Sequence, residues 1–148
     1  MAHEEALAAV SLFSQVSRKD LTRLGRAVVE RQYKKGQTIL KQGEQAVAFF
    51  ILIKGRVEVT QKAGSKGTEQ KLAELGKGGF VGEMALLTGE PRVASVRALE
   101  DTDCLVLSRW DFIAELRTSP HIAVSMLPVI AKRLGEADAR LAEHLATH

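Results

Sequence analysis

The stretch Gly82-Glu83-Met84-Ala85-Leu86-Leu87-Thr88-Gly89-Glu90-Pro91-Arg92-Val93-Ala94-Ser95 puts a glycine, a carboxylate and a run of backbone amides shortly before one arginine. Gly82 lets the backbone turn and come close to a ligand. A helical turn starting near Glu83–Leu86 presents unpaired N–H groups at its N-terminus, which suits an anion. Glu83 would repel a bare phosphate, but it fits a neighbouring sugar hydroxyl that donates to it. Pro91 stiffens the approach to Arg92, and Arg92 can neutralise a phosphate charge through two parallel hydrogen bonds. Together Glu83 and Arg92 read as a site for a hydroxyl beside a phosphodiester. The competing reading is a surface Glu–Arg salt bridge on an ordinary loop. Two features weigh against it: the Gly-Glu-x-Ala helix start, and Val93-Ala94-Ser95, which leave room for a ligand.

Working outward, ten glycines punctuate residues 31–107. Between them lie short runs with alternation or strong β-propensity: Thr38–Lys41, Phe49–Lys54, Arg56–Gln61, Gln70–Leu75, Val93–Ala98 and Cys104–Ser108. Short strands separated by turn signals argue for a sandwich or barrel. Gly55 suggests a tight connection or bulge, and Ala63-Gly64-Ser65-Lys66-Gly67 reads as a mobile hairpin tip.

Helical patterns bracket this region. Ala6–Ser14 places Leu7, Val10 and Phe13 at helical spacing. Ser17 reads as the N-cap of a second helix running to about Val29, with Asp20 as its acidic partner. Ser108 can cap Arg109–Leu116. The last segment carries a stripe of Ile122, Met126, Val129, Ile130, Arg133, Leu134, Ala137 and Leu141. Pro128 is expected to bend or break its first turns. Such a stripe fits packing on its own domain or a two-helix seam between subunits, and both readings stay open.

Composition narrows the class. The chain has 148 residues, enough for one domain, with 45% hydrophobic and 26% charged residues. The net charge is +3, from 21 Lys and Arg spread among 18 Asp and Glu, with no basic block of the kind that tracks nucleic acid. No run is apolar for long enough to span a bilayer, and Met1–Glu5 lacks signal-peptide features, so a cytoplasmic protein without a membrane partner is expected. Cys104 is alone, which excludes an intramolecular disulfide, and it sits in a strand-like run that suits a core residue. The four His (3, 121, 144, 148) stand at no metal-ligand spacing, and no nucleophile–base pair can be proposed, so neither a metal nor an enzyme is expected.

The central segment resembles the phosphate-binding cassette of cyclic nucleotide-binding domains of the catabolite activator, kinase regulatory subunit and nucleotide-gated channel type. Phe80-Val81-Gly82-Glu83-Met84-Ala85-Leu86 carries the pattern Phe-Gly-Glu-(Leu/Met)-Ala-Leu with one extra residue after the phenylalanine, and Pro91-Arg92-Val93-Ala94-Ser95-Val96 completes it. Tyr33–Ile39, Gln42-Gly43-Glu44 and Phe50–Val57 look like the family's glycine-punctuated strands, so the likeness covers about residues 10 to 140. It implies one domain over residues 1–148. N-terminal helices would occupy about 6–30, an eight-stranded jelly-roll β-barrel 31–108, and C-terminal helices ending in a lid 109–145.

By the same resemblance, Glu83 would bind the ribose 2′-hydroxyl, and Arg92 with the N–H groups near Met84 and Ala85 would hold the cyclic phosphate. Gly82 would permit the approach, Val93 and Ala94 would line the pocket, and Arg133 of the terminal helix would join the ligand site. Valine at 93 has no hydroxyl for a guanine amino group, which favours cAMP over cGMP. Purine contacts would fall near Ala137 and Asp138. The implied function is a cAMP sensor, with no catalytic duty and no further cofactor, that transmits binding through movement of its terminal helix. A cGMP sensor, or a degenerate non-binding module serving as a dimerising scaffold, are the alternatives. Only seven residues follow Leu141, too few for a helix-turn-helix. DNA binding by this chain is therefore not expected, and the signal would leave through a homodimer seam on that helix or an effector protein.

Overall fold

The computed structural model describes residues 2–63 and 67–147; the central residues of the expected hairpin tip, 64–66, lie outside the described residues. Eight strands form two antiparallel four-stranded sheets. The first sheet has the order β1 (Val29–Tyr33), β8 (Thr102–Ser108), β3 (Ala48–Lys54), β6 (Phe80–Val81). The second has the order β2 (Thr38–Leu40), β7 (Ser95–Ala98), β4 (Val57–Lys62), β5 (Glu69–Leu75). The fold is mainly β with flanking helices, as expected, although the roll is two facing sheets and not a closed barrel. Helices α1 (Ala2–Ala8) and α2 (Arg18–Ala27) precede it, α3 (Glu83–Leu87) interrupts it, and α4 (Arg109–Thr118) and α5 (His121–Thr147) follow it.

One strand organises both cores. In β3, the run Ala48-Phe49-Phe50-Ile51-Leu52 is buried at every position. Phe49 and Ile51 point into a helical core with Leu7, Phe13, Leu24 and Phe112. Ala48, Phe50 and Leu52 point into the core between the sheets, with Val57, Val96 and Cys104. A strand covered on both faces reads as a continuous apolar run, without the alternation of a half-exposed strand. In β8, Leu105 and Leu107 face the helices, while Cys104 and Val106 face the other sheet. Burial, reinforced by Asp103, pushes the Cys104 thiol up to about 11, so it is a protonated core group at neutral pH.

The helices differ from the expected ranges at their ends. The first helical signal divides into α1 and a 3-10 turn over Ser11–Phe13. Ser17 caps α2 by accepting from the Asp20 amide at 3.2 Å. The Asp20 carboxylate turns away from the cap and accepts from the Ser119 hydroxyl at 3.0 Å, tying α2 to the end of α4. The helix stops at Ala27, and β1 begins at Val29. Ser108 caps α4 through the Asp111 amide at 3.1 Å.

Pro128 neither breaks nor ends α5, which runs through it continuously. The carbonyl that proline leaves without a helical donor belongs to Val124, a residue 60% exposed. The terminal stripe divides into two faces. Ile122, Met126 and Ile130 pack on the helical core, whereas Val124, Leu127, Leu134, Leu141 and Leu145 are each more than half exposed.

Candidate functional site

The segment from β6 to β7 is held by its neighbours at both ends. β6 pairs with β3 through Phe50↔Val81 and Ile51↔Phe80. Phe80 packs on the helical core, 5.9 Å from the Phe49 ring, and Val81 packs on the core between the sheets. The extra residue between Phe80 and Gly82 is thereby absorbed as strand. At the far end, Glu90–Arg92 lies against residues 43–46. Arg92 N donates to Glu44 O at 2.7 Å, Gly43 N to Arg92 O at 2.9 Å and Ala46 N to Glu90 O at 3.3 Å, with a bridge between Gln45 and Pro91.

Gly82 turns the chain from β6 into α3 at φ +80°. A Cβ there would collide with the Arg92 guanidinium and stand 3.0 Å from the Ala48 carbonyl. Glycine is thus required twice, by its left-handed backbone and by the closeness of Arg92. Arg92 Nη2 donates to that same Ala48 carbonyl at 2.5 Å. Burial lowers the Arg92 pKa from its ordinary value, with Glu44 opposing, a shift that leaves an arginine protonated at neutral pH. Its charge is half-shielded from water and aimed by the backbone of β3.

Gly82, Glu83, Arg92, Val93 and Ala94 line one cavity of about 380 Å³. Its apolar lining includes Leu40 of β2, Val59 of β4 and Val96 of β7. Val93 is 74% exposed on this cavity, and its carbonyl accepts from the Gln61 amide of β4 at 2.9 Å. Met84 and Ala85 lie in the first turn of α3, whose opening N–H groups have no acceptor within the helix. A second, wider groove of about 540 Å³ runs over Thr38, Gln42, Thr60 and Ser95, with Lys41, Lys62, Arg97, Glu44 and Glu69 around it. Charges of both signs line it, and it lacks the pairing of glycine turn, helix start and arginine.

Arg133 stands apart from the cavity lining but reaches the site through Glu83. Its Nη1 donates to Glu83 Oε1 at 2.6 Å, with the two side chains 34% and 21% exposed. Its other terminal nitrogen meets the Ser11 hydroxyl. Glu83 Oε2 is buried and has no hydrogen-bond partner among the described residues. Sequence reasoning missed Gln61 and the apolar floor. The floor residues sit at inward positions of strands far apart in the chain, and only the inward phase of Val57 and Val59 in β4 hinted at them.

Among the described residues, no helix is long and apolar enough to cross a membrane, and no group of three His, Cys, Asp or Glu could hold a metal ion.

The family model for the cyclic nucleotide-binding domain matches residues 30–119, and the chain belongs to that family. The cyclic AMP receptor protein of Thermus thermophilus is 39% identical over 111 residues, covering 75% of this chain and 51% of that protein. The human cGMP-dependent protein kinase 2 is 37% identical over 107 residues, covering 72% of this chain and 14% of the kinase. The crystal structure of the Thermus thermophilus catabolite activator protein superposes with a TM-score of 0.74 at 34% identity, covering 90% of this chain and 62% of that one. The chain thus spans about half the length of the receptor protein and a small part of the kinase.

Proposed function

We propose that this chain is a cyclic nucleotide sensor whose ligand is cAMP. The observation that carries the reading is the convergence of Glu83, Gly82 and Arg92 on one cavity, with the start of α3 beside them. Arg92 would take the cyclic phosphate together with the N–H groups near Met84 and Ala85, and the Glu83 carboxylate the ribose hydroxyl. Val93 and Ala94 would pack against the ligand, with Leu40, Val59 and Val96 forming an apolar wall. The chemistry asked of these groups is binding alone. No bond in the ligand needs to break, and the output is a shift between two arrangements of the helices.

Val93 exposes only methyl groups to the cavity, which favours cAMP. A cGMP ligand is the second reading, supported by the similarity to a cGMP-dependent kinase. Competition titration of cAMP against cGMP by calorimetry decides between them; failure of both to bind at millimolar concentration would refute the sensor.

The exposed face of α5 supports a homodimer as the route of output. Val124, Leu127, Leu134, Leu141 and Leu145 recur at steps of three, seven, seven and four, the spacing of a coiled-coil seam. Mass measurement in solution, with and without nucleotide, tests that seam.

A further inference from the structure

The pairing of β4 with β7 ends at Thr60↔Ser95. Just before Ser95 the chain lies outside the sheet, and Val93 and Ala94 line the cavity. β4 runs on to Lys62, so among the described residues its last two have no strand beside them on that edge. Two glutamines stand in for the missing strand. Gln61 Nε2 donates to the Val93 carbonyl at 2.9 Å. Gln42 engages Lys62 twice: Lys62 N donates to Gln42 Oε1 at 2.9 Å, and Gln42 Nε2 donates to the Lys62 carbonyl at 3.1 Å. An exchange of both bonds is what defines a hydrogen-bonded antiparallel pair. A carboxamide carries the same kinds of donor and acceptor as a peptide unit, so the Gln42 side chain supplies a partner that the backbone does not.

The backbone of Gln42 is committed to the same region. Its N–H donates to Ser95 Oγ at 2.9 Å. The next two residues hold Arg92: Gly43 N donates to Arg92 O, and Arg92 N to Glu44 O. Gln42 thus joins the end of β4 to the segment that carries Arg92, while its side chain lines the outer groove and not the cavity. We propose that Gln42 is a positioning residue for the cavity, its side-chain amide holding β4 to residues 92–95 where the sheet opens for a ligand. The inference rests on the cyclic-nucleotide reading and adds to it a residue that touches no ligand. Val59, part of the apolar wall, lies three residues before Lys62 in the strand that Gln42 fixes at its end. Without the clamp that end is held to the segment by Gln61 alone, and a wall that shifts away from a ligand loses contact with it. A ligand spanning Arg92 and Val59 in turn holds the two segments together and protects the clamp, because such coupling is reciprocal.

The test uses the full chain and the variant Gln42→Met, which keeps the length of the side chain and removes both of its hydrogen bonds. Gln61→Met, which removes the bond to Val93, is the second variant; neither glutamine is buried. Calorimetry with cAMP is expected to show Gln42→Met binding about three- to ten-fold more weakly than wild type. Hydrogen exchange at the Lys62 amide, which donates to Gln42, is expected to be faster in ligand-free Gln42→Met. cAMP is expected to slow that amide in wild type and not in the variant. A residue that only stabilised the fold would not confer this difference, because Lys62 lies outside the cavity. Unchanged affinity in Gln42→Met despite faster Lys62 exchange would overturn the positioning role, as would equal slowing by cAMP in both proteins. Lys62 exchange equal to that of wild type would overturn the clamp itself. Should Gln42→Met fail to fold, Gln61→Met is expected to show the same order of loss, and unchanged affinity there would refute the proposal. Absence of binding by wild type would instead refute the cyclic-nucleotide reading, and the ligand-free exchange comparison would still decide whether Gln42 clamps β4.

Discussion

Replacing Arg92 with alanine separates its service to a ligand from its service to the fold. In the free protein the guanidinium donates to the Ala48 carbonyl and is held in a half-buried place that disfavours its charge. Losing a bond from a charged donor costs about 1.5–3 kcal/mol, but release of a poorly solvated charge offsets part of that. The net change in stability is expected to be near 1 kcal/mol, or about 2–4 °C in Tm for a chain of this size. Ligand binding fares differently. A bound phosphodiester would lose its main countercharge inside a partly dehydrated cavity, which costs about 2–5 kcal/mol and weakens cAMP binding by a factor of about 30 to several thousand. Calorimetry with cAMP, run beside thermal unfolding of the ligand-free proteins, measures both effects. Affinity within twofold of wild type would refute the assignment of Arg92. A Tm loss large enough to leave the variant partly unfolded at 25 °C would refute the claim that the site tolerates its removal.

Three further outcomes follow from the same geometry. Gly82→Ala is expected to lose about 1–2 kcal/mol of stability from the left-handed backbone alone, and to bind cAMP more weakly because its Cβ displaces Arg92; thermal unfolding and titration of the variant check this. The double variant Leu134→Glu, Leu141→Glu is expected to lower the solution mass to that of a monomer and to remove the dependence of Tm on protein concentration that pairing confers, since both positions are exposed in the single chain; light scattering and thermal unfolding at two protein concentrations read the two halves of that statement. The raised Cys104 thiol means that stability is intact below the unfolded thiol value near 9 and falls as pH rises from there towards about 11. Cys104→Ala should flatten that part of a urea-midpoint-against-pH profile, though it starts from lower stability.

The candidate site was legible because its parts are local. Gly82, Glu83 and Arg92 fall within eleven consecutive residues, and the need for a turn, a helix start and a stiffened arginine is written in their order. The doubly covered β3 also announced itself as an apolar run. β1 did not, because Val29-Glu30-Arg31-Gln32-Tyr33 is an edge strand exposed along most of its length and is defined by its pairing with β8. β6 is two residues long and carries no periodicity of its own. Pro128 was expected to disturb α5, but the helix runs through it, at a point where Val124, four residues earlier, is exposed. The pairing of Glu83 with Arg133 joins residues fifty apart. On the sequence Arg133 fell within the stripe of the terminal helix and was tied to the site by the family resemblance alone; its partners, Glu83 and Ser11, emerge only where α5 docks beside the 3-10 turn.

The exposed half of α5 also sets a length scale. Fourteen residues beyond Arg133, at 1.5 Å each, make a rod of about 21 Å, so a tilt of about 10° at its root would carry the tip by about 4 Å. A displacement of that size at the tip is comparable to the length of a side chain. If two copies pair along this face, as proposed above, a shift of that size would change their register.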